Sequence, residues 1–227
     1  MKNVWVISLG GSRIVPNDVD YVFLRKFKTL LDRHKDKKFV VVCGGGRTAR
    51  RYIDAFRKLG KNSKDQSEEG IIVTRLHANF MARFFGRGAS RIVPLNMRRV
   101  RMLLTRNRVV FCGALRWKKN NTSDGNAAQL AGYLGCDFIN LTNVRGLYSA
   151  NPKTNKKAKF ISKISWKDFL MIAEKIKYKA GQHFVLDLVA AREILRKRIV
   201  TYIVGSLGTM DKILKGNKKI NGTLISR

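Results

Sequence analysis

Three apolar segments of this chain each run into a turn that contains glycine. They are Val4–Leu9 before Gly10 and Gly11, Phe39–Cys43 before Gly44 to Gly46, and Val109–Cys112 before Gly113. Apolar runs rich in β-branched residues are typical of central strands in a sheet that is buried on both faces. Glycine lets an anion approach backbone amides closely, and a helix that follows adds the positive end of its dipole. Three such turns at the same end of three strands predict a long, polyanionic ligand.

The order of apolar patterns along the chain predicts an α/β fold. Strand patterns alternate with amphipathic helix patterns, for example at 48–59 and 70–85. This alternation is typical of a three-layer αβα sandwich with a mainly parallel central sheet, here of about eight strands. Residues 60–69 are predicted to form a loop and residues 91–94 a short strand. No repeat or low-complexity linker interrupts the sequence, so residues 1–227 are expected to form a single domain.

The charge of the chain is strongly positive. Its 47 Lys and Arg residues against 15 Asp and Glu residues give a formal net charge of +32. Such a field attracts nucleotides, nucleic acid or an anionic membrane surface. The basic residues are spread along the whole chain, whereas a nucleic-acid-binding module more often concentrates them on one element. Nucleic acid is therefore not expected as a partner, although the charge keeps that alternative open.

Cysteine content and hydropathy favour a cytoplasmic protein. Cys43, Cys112 and Cys136 are odd in number, lie in apolar runs and form no CxxC pair. They are predicted to be buried free thiols in a reducing compartment. No stretch of 18 apolar residues is present, so no membrane segment is expected. Residues 4–9 are too few for the core of a signal peptide.

Five short motifs occur in an order that resembles the amino acid kinase superfamily. They are Leu9–Ser12, Cys43–Arg50, Thr74–Ala78, Thr122–Asp124 and Thr142–Tyr148. Within the superfamily the chain looks most like the archaeal type of UMP kinase, over nearly its whole length. This resemblance implies Mg²⁺-dependent transfer of the γ-phosphate of ATP to UMP, which gives UDP for pyrimidine nucleotide synthesis. It also implies an acceptor-binding half at about 1–135 and an ATP-binding half at about 136–227.

The resemblance further implies roles for individual residues. The residues implied to bind ATP are Gly10, Gly11, Ser12, Gly45, Arg50, Thr142, Asn143, Tyr148 and Asn151. Those implied to bind UMP are Gly44, Ser67, Thr122 and Ser123. Asp124, with Gly10 and Gly45, is expected to act at the transferred phosphate. Mg²⁺ is expected to enter with ATP, and Asp124 is the one side chain considered as a protein group that orients it.

Departures from the family pattern leave the acceptor open. Arg145 stands where the family often has Asp, and Asn151 stands where Asp commonly precedes the proline. The acceptor loop at 116–121 lacks the usual Pro-Gly and carries three cations, which favour a phosphorylated acceptor. One alternative is a kinase of the same fold that acts on a carboxylate, a carbamate or isopentenyl phosphate. The other is a basic nucleic-acid-binding protein built on the kinase scaffold.

The resemblance also implies a homo-oligomer, with a hexamer expected as in the family. The helix pattern at 70–85 carries apolar residues on more than one face, namely Phe80, Met81, Phe84 and Phe85. Exposed apolar area of this kind usually marks an interface between proteins.

Overall fold

A seven-stranded sheet runs through the protein, and helices pack on both of its faces. The computed structural model describes residues 3–115, 122–150, 152, 155–175, 186–217 and 219–227. The strands are β1 (Val4–Leu9), β2 (Lys38–Cys43), β3 (Val109–Cys112), β4 (Asp137–Leu141), β5 (Leu147–Tyr148), β6 (Phe160–Ile161), β7 (Lys163–Ser165), β8 (Thr201–Val204) and β9 (Gly222–Ser226). The helices are α1 (Gly11–Ile14), α2 (Tyr21–Arg33), α3 (Gly46–Lys58), α4 (Ser63–Phe85), α5 (Met97–Arg106), α6 (Ser123–Leu134), α7 (Trp166–Glu174), α8 (Leu188–Lys197) and α9 (Leu207–Leu214).

The sheet is mainly parallel, as the alternation of patterns predicts. Its strand order is β3-β2-β1-β4-β8-β9-β7, and the pairs are parallel except for β8 with β9. Strands β5 and β6 form a separate antiparallel pair. The described residues therefore give seven strands in the main sheet where about eight are predicted, and the α/β class of the fold is confirmed.

The continuous apolar strands are explained by burial on both faces. In β2, Val40 and Val42 pack in the cluster that contains α5, α6, α7 and α8. Their neighbours Val41 and Cys43 pack in the opposite cluster, with α1, α2, α4 and α9. Because successive side chains of a strand point to opposite faces, each residue of such a strand must be apolar.

The order of the strands reverses beside β1. From β1 the sheet continues to β2 and β3 in one direction, and to β4 and β8 in the other. In open parallel sheets, ligands bind where the strand order reverses, in the crevice outside the carboxyl ends of the strands. The topology therefore predicts a ligand site at the turns that follow β1 and β4.

Polar side chains at the helix starts set several element boundaries. Asn62 accepts hydrogen bonds from the amides of Lys64 and Asp65, at 2.9 Å and 3.0 Å, and begins α4. Ser165 caps α7 through the amide of Asp168, and Asp187 caps α8 through the amide of Ala190.

Two local predictions are wrong. Residues 63–69, predicted as loop, form the first two turns of α4, because the Asn62 cap supports a helix whose early residues are polar. The segment 91–94, predicted as a strand, is irregular. There the Ser90 hydroxyl bonds both the amide and the carbonyl of Ile92, and Pro94 has no amide to offer a neighbouring strand.

Within the described residues, no helix combines the length and the apolarity that a bilayer crossing requires. Cys43 and Cys112 are buried free thiols as predicted, and Cys136 is free and half-buried. The acceptor loop at 116–121 and Asn151 lie outside the described residues.

Candidate active site

The first two glycine turns fit directly against each other. A Cβ atom built on Gly11 would lie 2.3 Å from the amide nitrogen of Gly46 and 2.5 Å from the carbonyl oxygen of Gly44. A Cβ atom on Gly44 would lie 2.8 Å from the amide nitrogen of Gly11. Gly46 also has a φ of +59°, a conformation that side chains disfavour. The glycines at these positions let two backbone segments pack at the carboxyl ends of β1 and β2.

Gly10 is different, because no protein group requires it to be glycine. The nearest atom to a Cβ built there is the carbonyl oxygen of Leu141, at an ordinary 3.6 Å. Its φ of −54° and ψ of 132° suit any residue. The space beside Gly10 is thus available to a ligand that approaches the end of β1.

Helix α3 begins at the second turn without a side-chain cap. Its N-cap is Gly45, and no side chain bonds its first amides. Uncapped first-turn amides of a 13-residue helix, at the positive end of its dipole, favour an anion. Arg50 lies half-buried one turn further along α3, where burial and the nearby Arg47 lower the pKa of its guanidinium.

Close packing explains why residue 113, in the third turn, is a glycine. A Cβ atom on Gly113 would lie 2.5 Å from Thr74 Oγ1 and 2.7 Å from the amide nitrogen of Arg75. The Thr74 hydroxyl also accepts a hydrogen bond from the amide of Ala114 at 2.9 Å. Gly113 therefore lets α4 lie against the end of β3, and this close approach accounts for the glycine without a ligand.

Asp124 points toward the end of β1. It stands in the first turn of α6, and its Oδ1 accepts a 2.6 Å hydrogen bond from the hydroxyl of Ser8 in β1. Burial raises the pKa of the Asp124 carboxyl to about 7; the Ser8 hydrogen bond opposes this shift, and the charge of Asp187 adds to it. Helix capping does not explain Asp124, because the side chain of Thr122 performs that role. A carboxylate with a raised pKa at the carboxyl edge of the sheet is a candidate functional group.

The hydroxyl of Thr122 is fully used by the protein itself. It accepts hydrogen bonds from the amides of Asp124 and Gly125, at 3.1 Å and 3.4 Å, and donates one to Asp187 Oδ2. Asp187 Oδ1 in turn accepts a 2.7 Å bond from the amide of Ala190 at the start of α8. Thr122 and Asp187 thus hold the N-terminal ends of α6 and α8 together.

A histidine supports the second glycine turn from α4. His77 is buried, and its Nδ1 lies 2.8 Å from the carbonyl oxygen of Gly44. The carbonyl can only accept, so Nδ1 carries the proton. Burial lowers the pKa of His77, which favours the neutral ring. The contact gives His77 a structural role in holding the second turn.

The loop after β4 carries the remaining predicted contacts. Thr142 continues the sheet, since its amide bonds the carbonyl of Val204 at 2.9 Å. The side chain of Asn143 is exposed, with its Oδ1 at 3.5 Å from the Thr142 hydroxyl. Tyr148 packs edge-on against Phe160, with 5.5 Å between ring centroids.

Sequence reasoning missed Arg13. Its Nε and Nη2 donate hydrogen bonds of 3.0 Å and 2.6 Å to the carbonyl of Thr142, and Nη2 also donates to the carbonyl of Gly205 at 2.5 Å. The signal that could have found it is a single basic residue directly after the Gly10-Gly11-Ser12 turn.

Comparison with known proteins places these features in a family. The family described as "Amino acid kinase family" matches residues 3–205. This chain belongs to the amino acid kinase family. It is 36% identical over 224 residues to the uridylate kinase of Archaeoglobus fulgidus, covering 97% of this chain and 99% of that protein. It is 33% identical to the uridylate kinase of Thermococcus kodakarensis, covering 97% and 98% of the two chains.

Solved structures agree with this membership. The crystal structure of uridylate kinase from A. fulgidus superposes with a TM-score of 0.85 at 33% identity, covering 98% of this chain and 99% of that one. The UMP kinase of Bacillus anthracis superposes with a TM-score of 0.80 at 18% identity, covering 99% and 96% of the chains, and supports the fold alone. The resemblance inferred from the five motifs is confirmed.

In this amino acid kinase the predicted site residues divide into two groups. The structure gathers Gly10, Gly11, Ser12, Gly44, Gly45, Ser123, Asp124 and Thr142 at the carboxyl ends of β1, β2 and β4. Ser67 is exposed on α4, with its hydroxyl bonded to the carbonyl of Ser63 at 2.8 Å. Arg50 and Tyr148 have no described contact with the first group. The ligand-binding roles of all these residues stay predictions.

Proposed function

We propose that this amino acid kinase transfers the γ-phosphate of ATP to UMP. The observation that carries the proposal is the likeness over nearly the full length, at 36% and 33% identity, to two proteins named uridylate kinase. The carboxyl ends of β1 and β2 support it, because uncapped amides of α3 and a carboxylate with a raised pKa lie at this edge of the sheet.

Phosphoryl transfer between two anionic nucleotides depends on positioning and on neutralising charge. In this proposal the ATP phosphates lie beside Gly10, and the first-turn amides of α3 receive the transferred group near Gly45. Ser123 and Gly44 hold the UMP phosphate on the other side. No side chain acts as a nucleophile, since a phosphate oxygen of UMP attacks directly.

Asp124 fits a role in organising cations. Its carboxylate is held by Ser8 and lies close enough to Asp187 for the two charges to interact. A divalent cation would stabilise the ionised form of Asp124 against the burial, and the smaller repulsion from Asp187, that raise its pKa. Mg²⁺ bound with ATP would supply positive charge at the phosphates, and Asp124 is the residue that would orient it. No cluster of three or more metal-ligating side chains exists among the described residues.

We also propose that the protein assembles as a homo-oligomer, with a hexamer as the specific expectation. The predicted reason needs correction, because Met81 and Phe85 belong to the buried core. The exposed apolar residues of α4 are instead Ile72, Leu76 and Phe80, which are 55%, 61% and 36% exposed. An apolar stripe of this kind on one helix favours burial against a second copy.

Steady-state assays with UMP, CMP, dUMP, carbamate and acetylglutamate test the proposed acceptor. We expect turnover with UMP, and we expect Asp124→Asn to lower kcat on the order of 10² or more, because a transition-state contact is lost. Phosphorylation of carbamate or acetylglutamate in preference to UMP would contradict the proposed substrate. Wild-type turnover by Asp124→Asn would remove Asp124 from the chemistry.

A further inference from the structure

The guanidinium of Arg13 joins the carboxyl ends of three neighbouring strands. Arg13 lies in α1, directly after β1, and donates to the carbonyl of Thr142 after β4 and to that of Gly205 after β8. Strands β1, β4 and β8 are adjacent in the sheet. One side chain therefore links the segments that follow three neighbouring strands at the carboxyl edge of the sheet.

This guanidinium is a half-buried cation without a bonded counterion. Its hydrogen-bond partners are two neutral carbonyls, and the ring of Phe23 lies 5.5 Å away. Asp20 raises the pKa of Arg13 through its charge, but burial is the larger effect and lowers it. No salt bridge to Arg13 occurs among the described residues. Holding an unpaired cation away from water is unfavourable, so a neutral residue would serve better if joining loops were its whole role.

We propose that Arg13 is the positioning residue for the phosphate donor. It holds the loop after β4 at a fixed distance from the Gly10-Gly11-Ser12 turn, and it presents its positive charge to the triphosphate that lies between them. This inference rests on the proposed function, because that function brings ATP to these two segments. A guanidinium suits the task because its planar fork can bond two carbonyls at once, which an ammonium group does less well.

The variants Arg13→Met and Arg13→Lys test this role. We expect Arg13→Met to raise the KM for ATP and the Kd for the non-hydrolysable analogue AMP-PNP about tenfold each, with the KM for UMP changed less than twofold. Arg13→Lys should restore part of the affinity, because the charge returns without the fork. Arg25→Met is the matched control. Arg25 is exposed on the neighbouring helix α2, and its substitution removes the same charge.

The readouts separate this role from a purely structural one. A lower melting temperature with unchanged KM for ATP and unchanged Kd for AMP-PNP would overturn the proposal. An equal loss in Arg25→Met would also overturn it, because net charge alone would then explain the effect. If Arg13→Met does not fold, the same comparison between wild type and Arg13→Lys decides. AMP-PNP binding to the wild type without phosphorylation of UMP would contradict the proposed acceptor and still allow the Arg13 comparison.

Discussion

Adding one methyl group to Gly11 should lower the stability of the fold, whereas adding one to Gly10 should lower the activity. In Gly11→Ala the new Cβ would lie 2.3 Å from a backbone nitrogen of Gly46 and 2.5 Å from a backbone oxygen of Gly44. Neither atom can rotate away, so the two turns must separate. Overpacking of this kind costs about 1–3 kcal/mol, and we expect the upper end of that range. For a chain of this size, about 3 kcal/mol corresponds to a melting temperature lower by roughly 6–12 °C.

In Gly10→Ala the methyl group would meet nothing closer than 3.6 Å, and the backbone conformation is already one that alanine adopts. We expect a melting temperature within about 3 °C of the wild type. Activity should nevertheless fall on the order of 10² in kcat/KM for ATP, because the methyl group fills the space through which the phosphates approach.

Thermal unfolding followed by circular dichroism, with steady-state kinetics on the same samples, separates the two effects. Gly208→Ala is the matched control, because Gly208 is exposed in α9 with no atom within 4 Å of a new Cβ. It should gain about 0.5–1 kcal/mol, since alanine favours helix, and keep full activity. Full activity in Gly10→Ala would refute the view that a ligand uses this space. A wild-type melting temperature in Gly11→Ala would refute the rigid fit of the two turns.

Three further predictions concern the rest of the site and the assembly. Because the pKa of Asp124 is raised in the folded protein, its ionisation destabilises the fold as pH rises from about 4 to about 7. Melting curves across pH should therefore show Asp124→Asn gaining stability over the wild type through that window, with a constant gain above it. Thr122→Val removes the cap of α6 and leaves Asp187 without its donor, so denaturant unfolding should show a loss of about 1–3 kcal/mol. Leu76→Lys places a charge on the exposed stripe of α4, so light scattering should show a smaller assembly than the wild type at equal concentration.

The fold and the positions of the glycine turns could be predicted because they depend on local pattern. Strands buried on both faces must be apolar throughout, and glycine marks where they end, whereas the close fit of the two turns joins segments about 35 residues apart and was not predicted. The helix starts at Ser165 and Asp187 are visible for the same reason, since a capping side chain acts on amides two or three residues away.

The remaining features depend on contacts between distant parts of the chain. The carbonyls that Arg13 bonds lie 129 and 192 residues further along, so a local sequence pattern cannot predict these hydrogen bonds. The same holds for Gly113, whose need for glycine comes from the backbone of α4. The hydroxyl of Thr122 resembles a substrate ligand in its motif, but the fold brings Asp187 to it from 65 residues away.

Two carboxylates, Asp124 at the start of α6 and Asp187 at the start of α8, lie near each other although the chain is strongly basic. The chain has only 15 acidic residues, and none occurs between Glu69 and Asp124. Burial raises the pKa of Asp124, and the fold brings Asp187 close enough for its charge to add to that shift. Like charges in a partly buried place disfavour folding, and a chain so rich in Lys and Arg offers many ways to neutralise them. Instead, Asp124 faces the serine of β1 and Asp187 the threonine before α6, and no Lys or Arg forms a salt bridge with either among the described residues. Carboxylates without a salt bridge in so basic a protein fit a site that receives its cations together with the ligand. We therefore expect Mg²⁺ and ATP to raise the melting temperature of the wild type more than that of Asp124→Asn.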